Sequence, residues 1–436
     1  MGSMFETLRN AFRIKDLRKK LLFTLFAMLI YRLGAAVPVP GISVQRFTDL
    51  VSRFGQFGSF MEIVSGVTLT GESVRAIPIF ALGIQPYINA SIIMQLLTVA
   101  IPSLERMSKE GESGRKKIQK ITRYVTIGLS LMMATAYWYA TRQANITTLP
   151  AAINAIMVIM SFTAGSAFIM WLGEQINDKG IGNGISIIIF VGIVSRFPSM
   201  IVSLYYQFQV WLNLKSPVWA VVGVIFVILV FLAIITLVVY IQSAERRIPV
   251  QYAKKVVGRK IYGGQSTYLP IKVNQSGVLP VIFAVSILMV PSTIVSLTGA
   301  NGKVAQWFLN FNTNPLYYPI YALLIIGFTF FYSMISFNPI EISNNLQKNG
   351  GFIPGIRPGR PTSEFIHRTA RRLSWFESIF LVFIVLLPGV LSLLTKTQST
   401  LWFGGTAVLI VVGVAMDIIN QLEAQMMMRH YKGFLD

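Results

Sequence analysis

The basic residues of this chain occupy every second gap between long apolar runs. Ten apolar runs follow a basic N-terminal arm, and the gaps between them alternate between heavily basic and nearly uncharged. Basic residues near the end of a span are retained in the cytoplasm during insertion, so the alternation indicates orientation as well as span number. The pattern predicts a protein that crosses the membrane ten times and keeps both ends in the cytoplasm.

The composition agrees with a membrane protein. The chain is 54% hydrophobic and 13% charged, which is unlike a water-soluble domain. A span needs ~20 apolar residues to cross a ~30 Å hydrocarbon core, so ten spans would use roughly 200 residues. The net charge of +21 is expected on one membrane face. Topology alone, anionic lipid, or an acidic or RNA-bearing partner would each account for that charge.

The titratable residues do not suggest catalysis. Two His, no Cys and 17 acidic residues are too few to predict a metal cluster or a catalytic triad. No acid, base or His lies at mid-depth in a predicted span, which argues against an ion-driven pump. We therefore predict no catalytic residue, no metal, no cofactor and no enzymatic activity.

The span positions define a predicted all-α organisation. The expected spans are 21–37, 77–101, 125–141, 153–172, 181–201, 218–240, 278–297, 317–337, 376–394 and 403–422. Five spans followed by five predict two halves of inverted orientation. The predicted segments are an arm at 1–20 (1–3 being an expression remnant), an N-terminal half at 21–201, an outer hinge at 202–217, a C-terminal half at 218–422 with cytoplasmic loops 241–272 and 338–375, and a tail at 423–436.

Short motifs rich in Gly, Pro and Asn lie at these spans and loops. They are Ile77–Gln95, Met170–Ile176, Lys179–Phe190, Glu245–Ile248, Gly264–Thr267, Pro270–Asn274, Gly355–Gly359 and Gly404–Thr406. In kind and order they resemble the motifs of the SecY family, the channel subunit of the bacterial Sec protein translocon. The resemblance implies ten transmembrane helices in two inverted five-helix halves, which form a clamshell around an hourglass pore. It also implies a passive, gated pore in the bacterial cytoplasmic membrane that passes unfolded secretory proteins and releases transmembrane segments sideways into lipid.

The resemblance implies a ring of apolar side chains at the waist of the pore. The matching residues are Ile84, Ile88, Ile185, Ile189, Ile282 and Ile410. Two pairs are spaced i,i+4, so each pair lies on one helix face. A narrow apolar ring excludes water and ions, and it offers no hydrogen bonds that would hold a passing peptide. Without the resemblance, isoleucines at these positions would be read as ordinary packing.

Two further elements follow from the same resemblance. A plug is expected at 58–69, with Phe60, Met61, Ile63, Val64 and Leu69 as its apolar residues. The sequence Gly66-Val-Thr-Leu departs from the family's Gly-Gly-Ala-Leu, which makes 66–75 atypical. A lateral gate is expected between spans two/three and seven/eight, with Asn89, Gln95 and Asn274 as polar residues along it. A polar group without a partner in an apolar seam is costly, so these residues could tune opening.

The basic cytoplasmic loops are the predicted docking sites. The candidate residues are Arg246, Arg247, Lys254, Lys255, Arg259, Lys260, Arg357 and Arg360. Pro and Gly between Ile353 and Pro361 predict a rigid projecting turn with Arg357 at its tip. The resemblance implies docking of the SecA motor ATPase or the ribosome, and charge alone does not choose between them. It further implies SecE and SecG as membrane partners, signal-sequence-bearing polypeptides as cargo, and contact with membrane lipids.

Two other functions remain open from the residues. A secondary small-molecule transporter with inverted repeats would have discontinuous helices around a polar midplane site. A membrane insertase or scaffold without a pore would tolerate polar substitutions in the isoleucine ring.

Overall fold

The computed structural model of the chain is predominantly helical. It describes residues 9, 11–40, 77–143, 150–214, 217–252, 255–257, 260–262, 266–298, 302–309, 311, 314, 316–395 and 405–432. Five predicted plug residues lie outside these ranges, namely Phe60, Met61, Ile63, Val64 and Leu69. Lys254 and Arg259 of the predicted docking loop also lie outside them.

Each of the ten predicted spans overlaps at least one described helix. The described helices are α1 (Lys15–Gly34), α2 (Gln85–Ala100), α3 (Pro102–Lys109), α4 (Glu112–Gln143), α5 (Ala151–Lys179), α6 (Gly184–Val194), α7 (Phe197–Leu214), α8 (Pro217–Ser243), α9 (Leu279–Thr298), α10 (Lys303–Leu309), α11 (Tyr317–Ser336), α12 (Pro339–Lys348), α13 (Arg360–Thr395) and α14 (Gly405–Lys432). In the described part of the chain, six helical stretches are long and apolar enough to cross a membrane, and the sharply bent pair α2 and α3 would make a seventh. The other predicted spans lie on α1, α4 and α9. The chain is therefore a multi-pass helical membrane protein.

The described residues form two compact units. The first is built on Met1–Val202, Ser286–Tyr317 and Val414–Asp436, and the second on Ser203–Val285 and Tyr318–Gly413. The main segment of the first unit ends one residue after the predicted N-terminal half. Helices α9 and α14 each contribute residues to both units. The inverted relation between the two predicted halves remains a prediction.

The second predicted span is only partly helical. The helix begins at Gln85, so the first eight residues of the predicted span at 77–101 are not helical. The segment before the helix, residues 77–84, is irregular. Its Ile77, Ala81 and Leu82 are buried beside Val158 and Phe162 in the core of the first unit. Gly83 has a φ of 57°, a conformation that favours glycine, and Pro86 fits the first helical turn. These two residues set where the helix starts.

The N-terminal arm packs against protein. Its apolar spacing is typical of a helix lying on the membrane surface, but Ala11 and Leu17 are buried against Ile181 and Leu422. The turn before α6 is held from both sides. The backbone N–H of Ile181 donates to the Thr24 hydroxyl at 3.1 Å, and that of Gly182 donates to the Gln421 side chain at 2.9 Å. The arm, this turn and the last helix thus form one packed cluster.

A buried carboxylate links α4 to α5 in the same unit. The Arg123 guanidinium donates through Nε to Glu174 Oε1 at 2.6 Å, and Gln119 Nε2 donates to the same oxygen at 3.3 Å. The Glu174 side chain is only 7% exposed, whereas Arg123 is 46% exposed. Both residues lie at the predicted cytoplasmic ends of their spans, where Arg123 can reach water while it neutralises the buried charge.

The second unit carries small β-sheets that the sequence did not predict. Strands β1 (Glu245–Tyr252), β4 (Ser266–Lys272) and β5 (Gly351–Phe352) form an antiparallel sheet in the order β4-β1-β5. Strands β2 (Lys255–Val257) and β3 (Lys260–Tyr262) form a separate hairpin. Ile248 and Val250 alternate with exposed residues along β1 and are buried. They pack on Ile271, Ile353 and Ile366.

The link between Arg123 and Glu174 should contribute measurably to stability. Replacing Arg123→Met would leave Glu174 buried without its cation, at a cost of about 1–3 kcal/mol. We expect a lower Tm for the purified protein. The control is Lys116→Met on the same helix, because Lys116 pairs with Glu112 on the exposed surface and such pairs contribute little. Equal Tm values for the two variants would contradict this account.

Candidate functional site

Four of the six predicted ring isoleucines lie in the first unit. Ile84 precedes α2 and Ile88 lies in its first turn, and both side chains are buried. On α6, Ile189 is buried and Ile185 is half-buried. Apolar residues elsewhere are exposed at the surface, and Leu229 on α8, for example, is 60% exposed. The predicted ring residues of this unit are therefore inward-facing or partly so.

The start of α6 is fixed by side-chain caps and a close helix approach. Asn183 Oδ1 accepts from the backbone N–H groups of Ile185 and Ser186 at 3.0 and 3.3 Å, and Asn177 Oδ1 accepts from that of Gly184 at 2.7 Å. A Cβ on Gly184 would lie 2.0 Å from the carbonyl oxygen of Gly173, so only glycine fits there. The caps satisfy backbone donors that the helix itself leaves free. They also fix the rotation of α6, and with it the direction of Ile185 and Ile189.

The other two ring residues lie in the second unit. Ile282 is half-buried in the first turn of α9, and the neighbouring Phe283 packs edge-on against Phe328 of α11, with ring centroids 5.7 Å apart. Ile410 is buried in the second turn of α14. The Gln242 side chain donates to the adjacent Leu409 carbonyl at 3.4 Å. Each ring residue therefore sits beside a packed or hydrogen-bonded neighbour.

The three predicted gate residues differ in their contacts. Asn89 is half-buried on α2, and its Oδ1 has no hydrogen-bond partner among the described residues. Gln95 is also half-buried on α2. Asn274 is buried, and its Oδ1 accepts from the backbone N–H of Gly277 at 2.9 Å. Asn274 therefore shapes the turn before α9 directly, while Asn89 carries an unsatisfied polar atom.

We give the name basic platform to six of the predicted docking residues. It comprises the described basic residues Arg246, Arg247, Lys255, Lys260, Arg357 and Arg360. The four arginines are exposed. Arg247 and Arg360 contact Glu245 and Glu364 at 2.7 and 3.2 Å, whereas no ion pair within 4.0 Å to described residues involves Arg246 or Arg357.

Two side-chain hydrogen bonds hold the turn around Arg357, which is the tip of the basic platform. The Thr362 hydroxyl donates to the Arg357 carbonyl at 2.8 Å, and the Ser343 hydroxyl donates to the Gly359 carbonyl at 2.7 Å. Gly355 and Gly359 have φ values of 81° and 94°, which residues with a Cβ rarely adopt. These contacts form the predicted turn, in which the Arg357 side chain is exposed.

The charge run at 110–117 leads into α4 and forms ion pairs within itself. Its residues from Glu112 onward are the first turns of α4. Lys116 pairs with Glu112 at 2.8 Å and Lys117 with Glu110 at 3.5 Å. The hydrogen bond and the charge of Lys116 lower the pKa of the Glu112 carboxyl. The segment is therefore a solvated, ion-paired charge run.

One buried polar contact near the ring was missed by sequence reasoning. Glu377 of α13 accepts hydrogen bonds from Ser276, which lies just before α9. The two residues are 101 positions apart. The sequence signal was an acidic residue at the start of a predicted span, without any indication of its partner.

The comparisons with known proteins agree on one family. A family model described as SecY matches residues 78–419. The protein translocase subunit SecY of Thermotoga maritima is 43% identical over 437 residues, which cover 99% of this chain and 98% of the relative. A solved protein-conducting channel superposes with a TM-score of 0.66 at 19% identity and covers 93% of this chain and 92% of its own. Sec61 from a canine ribosome-channel complex of the endoplasmic reticulum gives 0.60 at 17% identity, with the same coverage. The chain shares the fold of these channels.

The close contact between α5 and α6 at Gly184 predicts how a substitution there changes the stability of the protein. Gly184→Ala would force a Cβ against the Gly173 carbonyl and should cost about 1–3 kcal/mol. Gly128→Ala is the control, because a Cβ there meets no atom within 4 Å and alanine favours a helix interior. We expect the Tm to fall for the first variant only. A Tm for Gly184→Ala equal to that of Gly128→Ala would show that the close approach is wrong.

Proposed function

The chain belongs to the SecY family, and from this premise we propose that it forms the protein-conducting channel of a translocase. The observation that carries the proposal is the extent of the family match. Residues 78–419 include all six ring isoleucines, the three gate residues and the basic platform. A channel subunit of a translocon complex is the function that this match supports, and nothing in the fold favours the transporter alternative.

The channel is passive in our proposal. Unfolded secretory proteins pass through the isoleucine ring, and transmembrane segments leave sideways past Asn89, Gln95 and Asn274. An apolar constriction suits this task because it excludes ions at rest and parts around side chains of any chemistry. The chain itself supplies no catalytic step, so the energy for transport comes from a partner. The unsatisfied Asn89 oxygen supports a polar, readily opened seam.

The remaining assignments are also proposals. The charge pattern supports cytoplasmic N- and C-termini, and the curated bacterial relatives support the bacterial cytoplasmic membrane as the location. SecE and SecG are the proposed membrane partners. SecA and the ribosome are the proposed cytoplasmic partners, and the basic platform is where they bind. The solved canine Sec61 complex with a ribosome supports the second of these.

The isoleucine ring should seal the channel at rest. In planar bilayers that contain the purified translocase complex, we expect the wild type to be silent. Ile88→Asn/Ile189→Asn should conduct ions, because polar side chains hold water in the constriction.

The matched control for that experiment is Ile88→Leu/Ile189→Leu, which keeps the ring apolar and nearly isosteric. It should be silent like the wild type. A silent Asn variant would mean that these side chains do not line the pore, and would favour a scaffold without one.

The tip of the basic platform should contribute specifically to partner binding. Arg357→Glu should weaken binding of SecA, ribosomes or both by about tenfold or more, because it places like charges across the contact. The measurement is binding of each purified partner to the reconstituted complex. Arg371→Glu makes the same charge change on α13 away from the tip. An equal loss for both variants would indicate bulk charge instead of a contact at Arg357.

A further inference from the structure

Glu377 is a buried carboxylate with a defined partner. Its side chain is 0% exposed, and Ser276 is 3% exposed. Glu377 Oε1 accepts the backbone N–H of Ser276 at 2.9 Å and also the Ser276 hydroxyl. Both residues belong to the second unit. We call this pair of hydrogen bonds the Glu377–Ser276 tie.

The tie acts on a short turn that leads directly into α9. Asn274 Oδ1 accepts from Gly277 N–H at 2.9 Å, and Gly277 has a φ of 63°. Helix α9 begins at Leu279, only two residues later. Because the turn is closed by its own hydrogen bond, a restraint on Ser276 is transmitted to the first turn of α9. That first turn carries the ring residue Ile282.

Helix α9 also contributes residues to both units. Its residues through Val285 belong to the second unit, and those from Ser286 onward belong to the first. The predicted lateral gate runs along this same span. Holding its entrance against α13 therefore limits how the helix can tilt or shift.

A tie of this kind is not needed to bury this face of α13. The neighbouring Ser378 is equally buried but uses its hydroxyl within the helix, on the Trp375 carbonyl at 2.9 Å. An apolar side chain at 377 would avoid the cost of burying a carboxyl group. Unlike the Ser378 hydroxyl or an apolar side chain, the Glu377 carboxyl group bonds to a residue of a different segment, Ser276.

We propose that Glu377 is a positioning residue for gating, which holds the entrance of α9 through the Glu377–Ser276 tie and so stabilises the sealed channel. The proposal rests on the channel function proposed above. An interaction made in one state favours that state, so its removal shifts the population towards states in which the end of α9 has moved. The isoleucine ring then parts more often, and weaker signal sequences suffice to open it.

The test compares export of one reporter behind a normal and a weakened signal sequence, in cells whose translocase carries each variant. Glu377→Leu removes the acceptor and should raise the weak-to-normal export ratio about tenfold. Glu377→Gln keeps an acceptor oxygen and should stay within about twofold of wild type. Adding Ser276→Ala to Glu377→Leu should change nothing further, because the partner is already lost. Ser378→Ala is the matched buried control and should behave as wild type.

The export ratio separates gating from folding. A purely structural role would lower export of both reporters together and leave the ratio unchanged. If Glu377→Leu does not accumulate in the membrane, Ser276→Ala alone carries the test, with an expected rise of about threefold because the backbone bond remains. An unchanged ratio in the accumulated variants, or a Gln variant as altered as the Leu variant, would overturn the proposal.

The Ile88→Asn/Ile189→Asn channel serves as the independent reference. If it leaks while the Glu377 variants match wild type, the tie has no gating role and the channel function stands. If it does not leak, the proposed sealing function fails, whatever the Glu377 variants show.

Discussion

The hydrocarbon core of a membrane offers no hydrogen-bond partner to a peptide group, and the rest of this structure depends on that constraint. Helices satisfy their own backbone, which is why each of the ten apolar runs is helical over most of its length. Where the backbone leaves the helix, it is buried in protein, as at Ile77–Ile84. Two buried acidic side chains follow the same rule, since Glu174 and Glu377 each accept hydrogen bonds on one carboxyl oxygen.

The same constraint shapes the proposed seal. A barrier made of polar groups would bind water, ions and the passing peptide, whereas isoleucine offers none of them a hydrogen bond. The opening force must then come from outside the ring. Two turns are hydrogen-bonded to neighbouring helices and can transmit such a force. The turn at 180–182 is bound to α1 and α14, and the turn before α9 is bound to α13.

Sequence reasoning recovered the spans and motifs because their signals are local. Twenty apolar residues or a Gly-Pro turn can be read without knowing what they contact. It failed where contacts between distant segments decide the outcome. The apolar spacing of the N-terminal arm is typical of a helix on the membrane surface, but Ala11 and Leu17 pack against Leu422. The loop at 241–272 was predicted without strands, although Ile248 and Val250 alternate with exposed residues, because β1 pairs with β4 across the loop and with β5 from residue 351. The partner of Glu377 was invisible for the same reason.

The chain contains no Cys, so single cysteines can report the path of a passing polypeptide directly. A cysteine would be placed at each of the ring positions 84, 88, 185, 189, 282 and 410 in turn, and a stalled cargo carrying one cysteine would be tested for disulfide formation. A cysteine at the exposed Leu229 on α8 would serve as the reference. The account predicts cross-links from the ring positions and none from position 229. Cross-links that are absent from the ring, or equally strong from position 229, would contradict a pore at the isoleucine ring.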